Sequence, residues 1–206
     1  MDDEIVFYTN PQSRGAMTHW MLEEIGCPYR LEVKAYGPEM KSPDYLAINP
    51  MGKVPAIKHG ETVVTETGAI LCYLADAFPA AKLAPPVGAR GAYYRWLFFV
   101  AGCCEPALGN KAAGWNPTPE LQGRFGYGSY ELTIDTVAKA VEGRRYITAE
   151  HFTAADLYMA SFLHWGMMFG VIEKRPAFET YARPHLERPA ALRAQEQAQA
   201  LAAKAS

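Results

Sequence analysis

Apolar and polar residues follow two patterns in the first part of the chain. Ile5–Thr9 and Tyr29–Val33 are short runs that predict two β-strands. Between them, apolar residues recur three and four positions apart from Met17 to Ile25, which predicts a helix with Gly26 as its C-cap. A strand, a helix and a strand in this order predict a βαβ unit with parallel strands and a right-handed crossover.

The next elements are shorter. A short helix is predicted over Asp44–Ile48. Val54–Lys58 and Glu61–Thr65 are predicted to be two strands joined by the two-residue hairpin loop His59-Gly60. Helical spacing of apolar residues returns over Glu66–Phe78. The order βαβ followed by ββα indicates one α/β domain.

A proline-rich break then separates this part from the rest of the chain. Residues 79–88 contain three prolines and a glycine, which is typical of an interdomain linker. Strand signals disappear after it, and four helix-like segments follow: Ala89–Lys111, Glu120–Glu142, Thr153–Met168 and Arg188–Lys204. We therefore predict an α/β domain at 1–80, a linker at 81–88 and an all-α helical domain at 89–206.

Charge and hydropathy limit the class of partner. The formal net charge is -2, and the chain lacks the clustered Lys and Arg of a nucleic-acid-binding surface. Its acidic start does not fit a secretory signal. Arg95 and Glu105 interrupt the most apolar segment, Ala92–Leu108, so no membrane span is expected. These features favour a cytoplasmic protein with a small-molecule site, and neither nucleic acid nor membrane as a partner.

The chain has four cysteines: Cys27, Cys72, Cys103 and Cys104. Because no two of them form a Cys-x-x-Cys pair, neither a zinc ribbon nor a dithiol oxidoreductase of the thioredoxin type is supported. We expect buried free thiols and no metal. The sequence leaves a redox role of the adjacent Cys103 and Cys104 open.

Three segments carry candidate chemistry, and the first is Asn49–Ile57. A proline at the start of a strand donates no ladder hydrogen bond, so Pro55 is unusual there. A cis Val54–Pro55 peptide with the Val54 backbone turned outward would explain it, because an outward N–H and C=O can pair with a peptide ligand. The alternative is a trans proline that only begins an edge strand.

The second segment is Glu66-Thr67, at the start of a predicted helix. Thr67 is suited to the N-cap position, and the free N–H groups of the first turn can bind an anion such as a carboxylate. Glu66 could pair with a ligand ammonium group. The alternative is ordinary helix capping with an acid favoured by the helix dipole.

The third segment is the turn Tyr8–Gly15, between the first strand and the first helix. Ligands of open α/β sheets bind beyond the carboxyl ends of the strands, where Asn10 and Ser13 are placed. Ser13 has the alternative role of helix N-cap.

Together the three segments resemble the cytosolic glutathione transferase superfamily, in its bacterial serine-type members. Asn49–Pro55 is similar to the family's loop before a cis-proline, and Glu66-Thr67 to its acidic residue followed by a hydroxyl, which is usually serine. Phe152–Asp156 is similar to the buried capping box of the family's helical domain, in which Asp156 reaches back to Thr153. The resemblance covers nearly the whole chain and implies a thioredoxin-like first domain and an all-helical second domain.

The resemblance also implies how glutathione, as co-substrate, would be bound. Val54, followed by Pro55, would hydrogen-bond the cysteinyl backbone, and Lys53 would lie near the glycine carboxylate. Glu66 and Thr67 would hold the γ-glutamyl end.

The thiol of glutathione would become the nucleophile. Ser13 aligns best with the hydroxyl that faces the thiol in serine-type classes, Asn10 ranks second, and Tyr8 is a distant third because it lies within the first strand. A hydrogen bond to the thiolate and the positive end of the following helix would both lower the thiol pKa. The absence of cysteine from Asn10 to Arg14 argues against a cysteine-type transferase.

The second substrate would be a small hydrophobic electrophile or a peroxide, lying between the two domains. Four residues are candidates to line its pocket: Tyr94, Trp115, Trp165 and Met168. Aromatic residues at helical spacing more often belong to a core, so both interpretations stay open. The expected function is a glutathione transferase of detoxification, also active as a glutathione peroxidase, and a homodimer as in the family. The alternative is a non-catalytic binding or regulatory protein with the same fold.

Overall fold

The computed structural model describes residues 4–204. The first part of this range forms a four-stranded sheet. Its strands are β1 (Ile5–Thr9), β2 (Tyr29–Val33), β3 (Ala56–His59) and β4 (Thr62–Thr65). They lie in the order β2-β1-β3-β4; β1 is parallel to β2 and antiparallel to β3, which is antiparallel to β4. Helix α1 (Gly15–Ile25) joins the parallel pair, so the predicted βαβ unit is confirmed.

Two more helices follow the βαβ unit, and they complete a thioredoxin-like arrangement. They are α2 (Pro43–Ile48) and α3 (Thr67–Ala77). Gly26 has φ 72° and ends α1, as predicted. The hairpin loop differs from the prediction by one residue: His59 pairs with Thr62, so the loop is Gly60 and Glu61. Gly60 has φ 57°, a backbone conformation that glycine adopts without steric cost.

The C-terminal region is helical, as predicted. It contains α4 (Gly91–Phe99), α5 (Glu105–Ala112), α6 (Tyr130–Val141), α7 (Ala154–Met168), α8 (Pro176–Leu186) and α9 (Pro189–Lys204). A π-helical turn, Val100–Cys104, joins α4 to α5. Pro106 explains this turn, because it has no N–H for the Gly102 carbonyl and its ring crowds that carbonyl. Glu105 N–H instead bonds to the carbonyl of Val100, five residues back.

The helices of this region differ from the prediction in two places. The segment predicted to be helical over Glu120–Glu142 is an α-helix only from Tyr130, because glycines lie along its first part and Gly128 has φ 67°. Helix α8 was not predicted. Its sequence starts with a proline and contains Pro184, which weaken the helical signal.

The predicted capping box at the start of α7 is confirmed and is part of a larger buried network. Asp156 is fully buried, and one carboxylate oxygen accepts from Thr153 N–H and Thr153 Oγ1, both at 2.9 Å. The other accepts from Ile147 N–H at 2.7 Å and from the Tyr181 hydroxyl at 2.8 Å. One carboxylate therefore joins the start of α7, the segment before it and α8.

Contacts divide the chain into two units. One runs to Ala81 and also includes the chain from Arg188 onward; the other is Lys82–Glu187. Helix α9 thus belongs with α1, although the sequence had placed it in the helical domain. Arg188 donates two hydrogen bonds to Glu24, at 2.6 and 2.8 Å. The domain boundaries at 1–80, 81–88 and 89–206 stay a prediction, and residues 1–3 and 205–206 lie outside the described chain.

Candidate functional site

The turn after β1 holds both residues predicted to face a thiol. Ser13 is buried, and its hydroxyl donates to the Asn10 carbonyl oxygen at 2.7 Å and accepts from Gly15 N–H at 3.0 Å. The Asn10 amide donates to the Lys34 carbonyl oxygen at 2.9 Å and accepts from Gln12 N–H at 3.0 Å. In this conformation, both side chains stabilise the turn that begins α1.

The segment Asn49–Ile57 contains a cis Val54–Pro55 peptide, which confirms the predicted cis form over the trans alternative. Pro55 is buried and Val54 is half-buried. Within residues 4–204, the Val54 backbone N–H and C=O take part in no hydrogen bond. A donor and an acceptor of the main chain are therefore available here to an extended peptide. The side chain of Lys53 is exposed beside them.

The segment Glu66-Thr67, at the start of α3, differs from the prediction. Glu66 occupies the N-cap position and Thr67 is the first helical residue, because the Glu66 carbonyl accepts the first helical bond, from Ile70 N–H at 2.9 Å. No side-chain cap bond is present at this end of α3. The N–H groups of the first turn are thus available to an anion.

The backbone of Glu66 is strained. Its φ of 68° lies in the left-handed region, which residues other than glycine seldom adopt. Such a conformation costs on the order of 1–3 kcal/mol and occurs most often at functional sites. The Glu66 side chain is exposed, so packing of this side chain in the core does not explain the strained backbone.

The sheet register brings the three segments to one edge. Tyr8, the residue before the last of β1, pairs with Ala56, the first residue of β3. Ala56 pairs in turn with Thr65, the last residue of β4. The turn with Ser13, the cis peptide before Ala56 and the start of α3 after Thr65 therefore all leave the sheet at the same edge.

Tyr8 lies at this edge with its ring 5.7 Å from that of Tyr45 and with Lys34 Nζ 6.0 Å from its ring centre. No hydrogen bond of the Tyr8 hydroxyl is found in the described part of the chain. Burial, and less strongly the nearby Tyr8, raises the pKa of Tyr45 to about 12. Tyr45 therefore stays a neutral hydrogen-bond donor throughout the neutral and mildly alkaline range.

The four residues predicted to line an electrophile pocket lie in the helical unit. Tyr94 is exposed on α4, and its hydroxyl accepts a 3.4 Å hydrogen bond from Arg90. Trp115 is exposed after α5, with its ring 5.2 Å from that of Phe125. Trp165 and Met168 lie one turn apart near the end of α7, and Met168 is exposed. Their role in substrate binding stays a prediction.

A cavity of about 490 Å³ lies between the end of α7 and α8. Of the four predicted pocket residues, only Met168 is in its lining, together with His164, Met167 and Arg183. Burial lowers the pKa of His164, so its imidazole is neutral at pH 7. The sequence analysis did not find this cavity, because α8, which forms one wall, was not predicted.

The thiols differ from the expectation of full burial. Cys104 is buried, whereas Cys27, Cys72 and Cys103 are partly exposed. Burial raises the pKa of Cys104 and of Cys103, which disfavours the reactive thiolate at both. Among the described residues, no cluster of His, Cys, Asp and Glu could hold a metal ion. None of the helices between residues 4 and 204 is long and apolar enough to cross a membrane.

Sequence reasoning missed the strain at Glu66 and the hydrogen bonds that hold the loop before Pro55. A positive φ is seldom expected at a residue other than glycine, so nothing in the sequence indicated it at Glu66. The loop contacts of Tyr45 could have been suspected, because a polar tip on an otherwise apolar buried residue usually requires a partner.

Comparisons with known proteins agree on one family. Residues 15–77 match the family model described as "Glutathione S-transferase, N-terminal domain". A glutathione S-transferase of Xanthomonas campestris pv. campestris is 31% identical over 80% of this chain and 83% of its own length. Glutathione S-transferase GstA of Escherichia coli O157:H7 is 34% identical over 59% of this chain and 61% of its own.

Two solved structures are similar over nearly the whole chain. A glutathione transferase from Methylococcus capsulatus is 28% identical with a TM-score of 0.76, covering 95% of this chain and 98% of its own. A glutathione transferase homologue from Sulfitobacter, solved with bound glutathione, is 26% identical with a TM-score of 0.76, and the coverage is 96% and 99%.

Proposed function

The chain belongs to the glutathione S-transferase family, and we propose that it binds glutathione at the sheet edge and activates its thiolate to attack a small hydrophobic electrophile or to reduce a peroxide. One observation carries the proposal most: the Val54 N–H and C=O, without a partner in residues 4–204, lie at the same edge as the uncapped start of α3. A peptide that also bears a carboxylate matches this pair of features.

Glutathione would lie across the edge in an extended form. Its cysteinyl backbone would pair with Val54, next to Pro55, and its γ-glutamyl carboxylate would meet the Thr67 hydroxyl and the first N–H groups of α3. Glu66 would pair with the γ-glutamyl ammonium group, and Lys53 with the glycine carboxylate. Both ionic contacts bring opposite charges together, and the carboxylate also receives charge-assisted hydrogen bonds.

The thiolate needs a donor. A free thiol has a pKa near 8.5, and each unit by which it is lowered requires about 1.4 kcal/mol of preference for the charged form. In this proposal the Ser13 hydroxyl turns its hydrogen from the Asn10 carbonyl to the sulfur while still accepting from Gly15 N–H. Asn10 is the second candidate, through the remaining hydrogen of its amide. Tyr8 is the third, and its unbonded hydroxyl at this edge supports keeping it.

The electrophile would contact side chains of the helical unit, for which the proposed residues are Tyr94, Trp115, Trp165 and Met168. The exposure of three of them is consistent with contact to an apolar molecule. We also propose that the protein is a cytoplasmic homodimer that acts in detoxification. Exposed Phe98, on the same helix as Tyr94, supports an apolar contact between subunits.

A non-catalytic binding or regulatory protein is the second candidate. The hydrogen bonds of Ser13 support this candidate, because its hydroxyl is already bonded within the turn. Glutathione binding without turnover above the uncatalysed rate would support this candidate.

The test is calorimetric titration with glutathione and with S-methylglutathione, followed by turnover assays with an aryl halide and an organic peroxide. We expect one-to-one binding of both ligands. Ser13→Ala should lower kcat and retain the affinity, whereas Glu66→Ala and Thr67→Ala should weaken binding. The matched control for Thr67→Ala is Thr62→Ala, because Thr62 is an exposed threonine of β4 that has no proposed contact with glutathione. No binding of either ligand at millimolar concentration would refute the proposal.

A further inference from the structure

Two buried side chains hold the carbonyl group that precedes Val54. The Tyr45 hydroxyl donates to the Lys53 carbonyl oxygen at 2.7 Å, and Asn49 Nδ2 donates to the same oxygen at 2.8 Å. Tyr45 and Asn49 are each only 3% exposed. We call this pair the carbonyl clamp.

The clamp decides where the next N–H points. The Lys53–Val54 peptide is trans, and in a planar trans peptide the C=O and the N–H point in opposite directions. Because Tyr45 and Asn49 draw the Lys53 C=O inward, the Val54 N–H is turned away from them. This agrees with the absence of any partner for that N–H in the described residues.

The two carbonyl groups before that of Lys53 also accept hydrogen bonds, both from the side chain of Lys41. Lys41 Nζ donates to the Met51 carbonyl oxygen at 2.8 Å and to that of Gly52 at 3.1 Å. Gly52 has φ 56° and packs so closely on the Met40 carbonyl that a Cβ would overlap it. The loop therefore has little freedom to rotate the peptide units before Val54.

The two donors of the clamp connect the loop to different neighbours. Asn49 lies at the end of α2 and also accepts from Met51 N–H at 3.1 Å, so it braces the loop from within. Tyr45 lies inside α2, and its ring packs against Tyr8 of β1. Tyr45 thus ties the loop to the sheet through a hydroxyl that has no other hydrogen bond in the described chain.

We propose that Tyr45 and Asn49 are positioning residues for glutathione, which fix the Lys53 carbonyl and thereby aim the Val54 N–H at the cysteinyl carbonyl of the ligand. The inference rests on the proposed function. Neither side chain touches the reacting sulfur, so the clamp controls affinity for glutathione and not the chemical step.

The experiment compares wild type with Tyr45→Phe, which removes only the hydroxyl. Its matched control is Tyr36→Phe, because the exposed Tyr36 hydroxyl also donates to a backbone carbonyl, that of Gln12 at 3.0 Å. Asn49→Asp is a second variant: it removes the donor to Lys53 and retains the oxygen that accepts from Met51. The measurements are the calorimetric Kd for glutathione, KM and kcat, and the ¹⁵N–¹H chemical shift of Val54 during titration.

We expect Tyr45→Phe to weaken glutathione binding about three- to tenfold, as the loss of one hydrogen bond implies. KM should rise by a similar factor with kcat unchanged, and the shift of the Val54 amide on binding should shrink. Asn49→Asp should act in the same direction, and Tyr36→Phe should match wild type.

The outcomes are distinct. If wild type binds glutathione and Tyr45→Phe binds equally well with the same Val54 shift, the clamp proposal is overturned and the proposed function stands. Equal weakening in Tyr36→Phe also overturns it, because the effect would not be specific to the clamp. If wild type itself does not bind glutathione, the proposed function and the clamp fail together.

Discussion

The network around Asp156 makes a sharp prediction for the helical unit. Its carboxylate is fully buried and accepts four hydrogen bonds, two from Thr153, one from Ile147 and one from Tyr181. Asp156→Ala removes the acceptor and leaves all four buried donors without this partner. A hydrogen bond to a charged group contributes about 1.5–3 kcal/mol, and a buried donor left unpaired costs about 1–3 kcal/mol.

These contributions do not add, because neighbours relax and water enters the space left by the side chain. We therefore expect Asp156→Ala to lower the free energy of unfolding by about 4–5 kcal/mol, a size typical of the loss of a buried network. Tyr181→Phe, which removes one donor and leaves the carboxylate three others, should cost only about 1–2 kcal/mol.

The assay is urea unfolding at pH 7 and 25 °C, followed by circular dichroism and by tryptophan fluorescence. The control is Asp135→Ala on α6. Asp135 also accepts from an arginine, Arg175, at 2.7 Å, but its side chain is 57% exposed, so a cost of about 0–1 kcal/mol is expected. If Asp156→Ala costs no more than Asp135→Ala, the network does not stabilise the fold as reasoned here.

Three further predictions concern the first unit. Glu66→Gly should be more stable than Glu66→Ala by about 1 kcal/mol in thermal unfolding, because glycine adopts a φ of 68° freely; equal stability would argue against strain. Burial lowers the pKa of His19 below the unfolded value of 6.5, so the unfolded state takes up the proton first and stability should fall as the pH drops below about 6.5. Unfolding at pH 5 and pH 7 should show a smaller fall in His19→Gln than in wild type, and an equal fall in both would contradict this reasoning. Glu24→Ala should cost about 2–4 kcal/mol in urea unfolding, since it removes the carboxylate that accepts from Arg188 and from Trp20 Nε1; a cost near zero would mean that these hydrogen bonds do not stabilise the docking of α9.

The strands and most helices were predictable because burial on one side leaves a period in the sequence. The runs at Ile5–Thr9 and Tyr29–Val33 match β1 and β2 residue for residue. The errors arise where glycine or proline residues interrupt the helical spacing of apolar residues. Glycines delay the start of α6, and a first-residue proline with few apolar positions conceals α8.

The functional role of the candidate site stays a prediction, but the placement of its segments can be compared with the structure. The order of the motifs pointed to three segments, and the register of β1, β3 and β4 explains why all three lie at one edge of the sheet. The conformation of Glu66 and the direction of the Lys53 carbonyl depend on dihedral angles and on contacts with residues distant in sequence. The docking of α9 was likewise hidden, because its partners on α1 are charged residues that look like an ordinary solvated surface.

The return of α9 to α1 has a consequence for how the protein is made. The ribosome synthesises the sheet and α1 before the helical unit, and α9, which completes the unit of the sheet, comes only after the helical unit. The whole of Lys82–Glu187 must be translated before Arg188 and Arg193 can reach Glu24 and Glu23. A nascent chain stalled before α9 would therefore expose the Glu23-Glu24 end of α1, although the sheet and α1 had been synthesised long before.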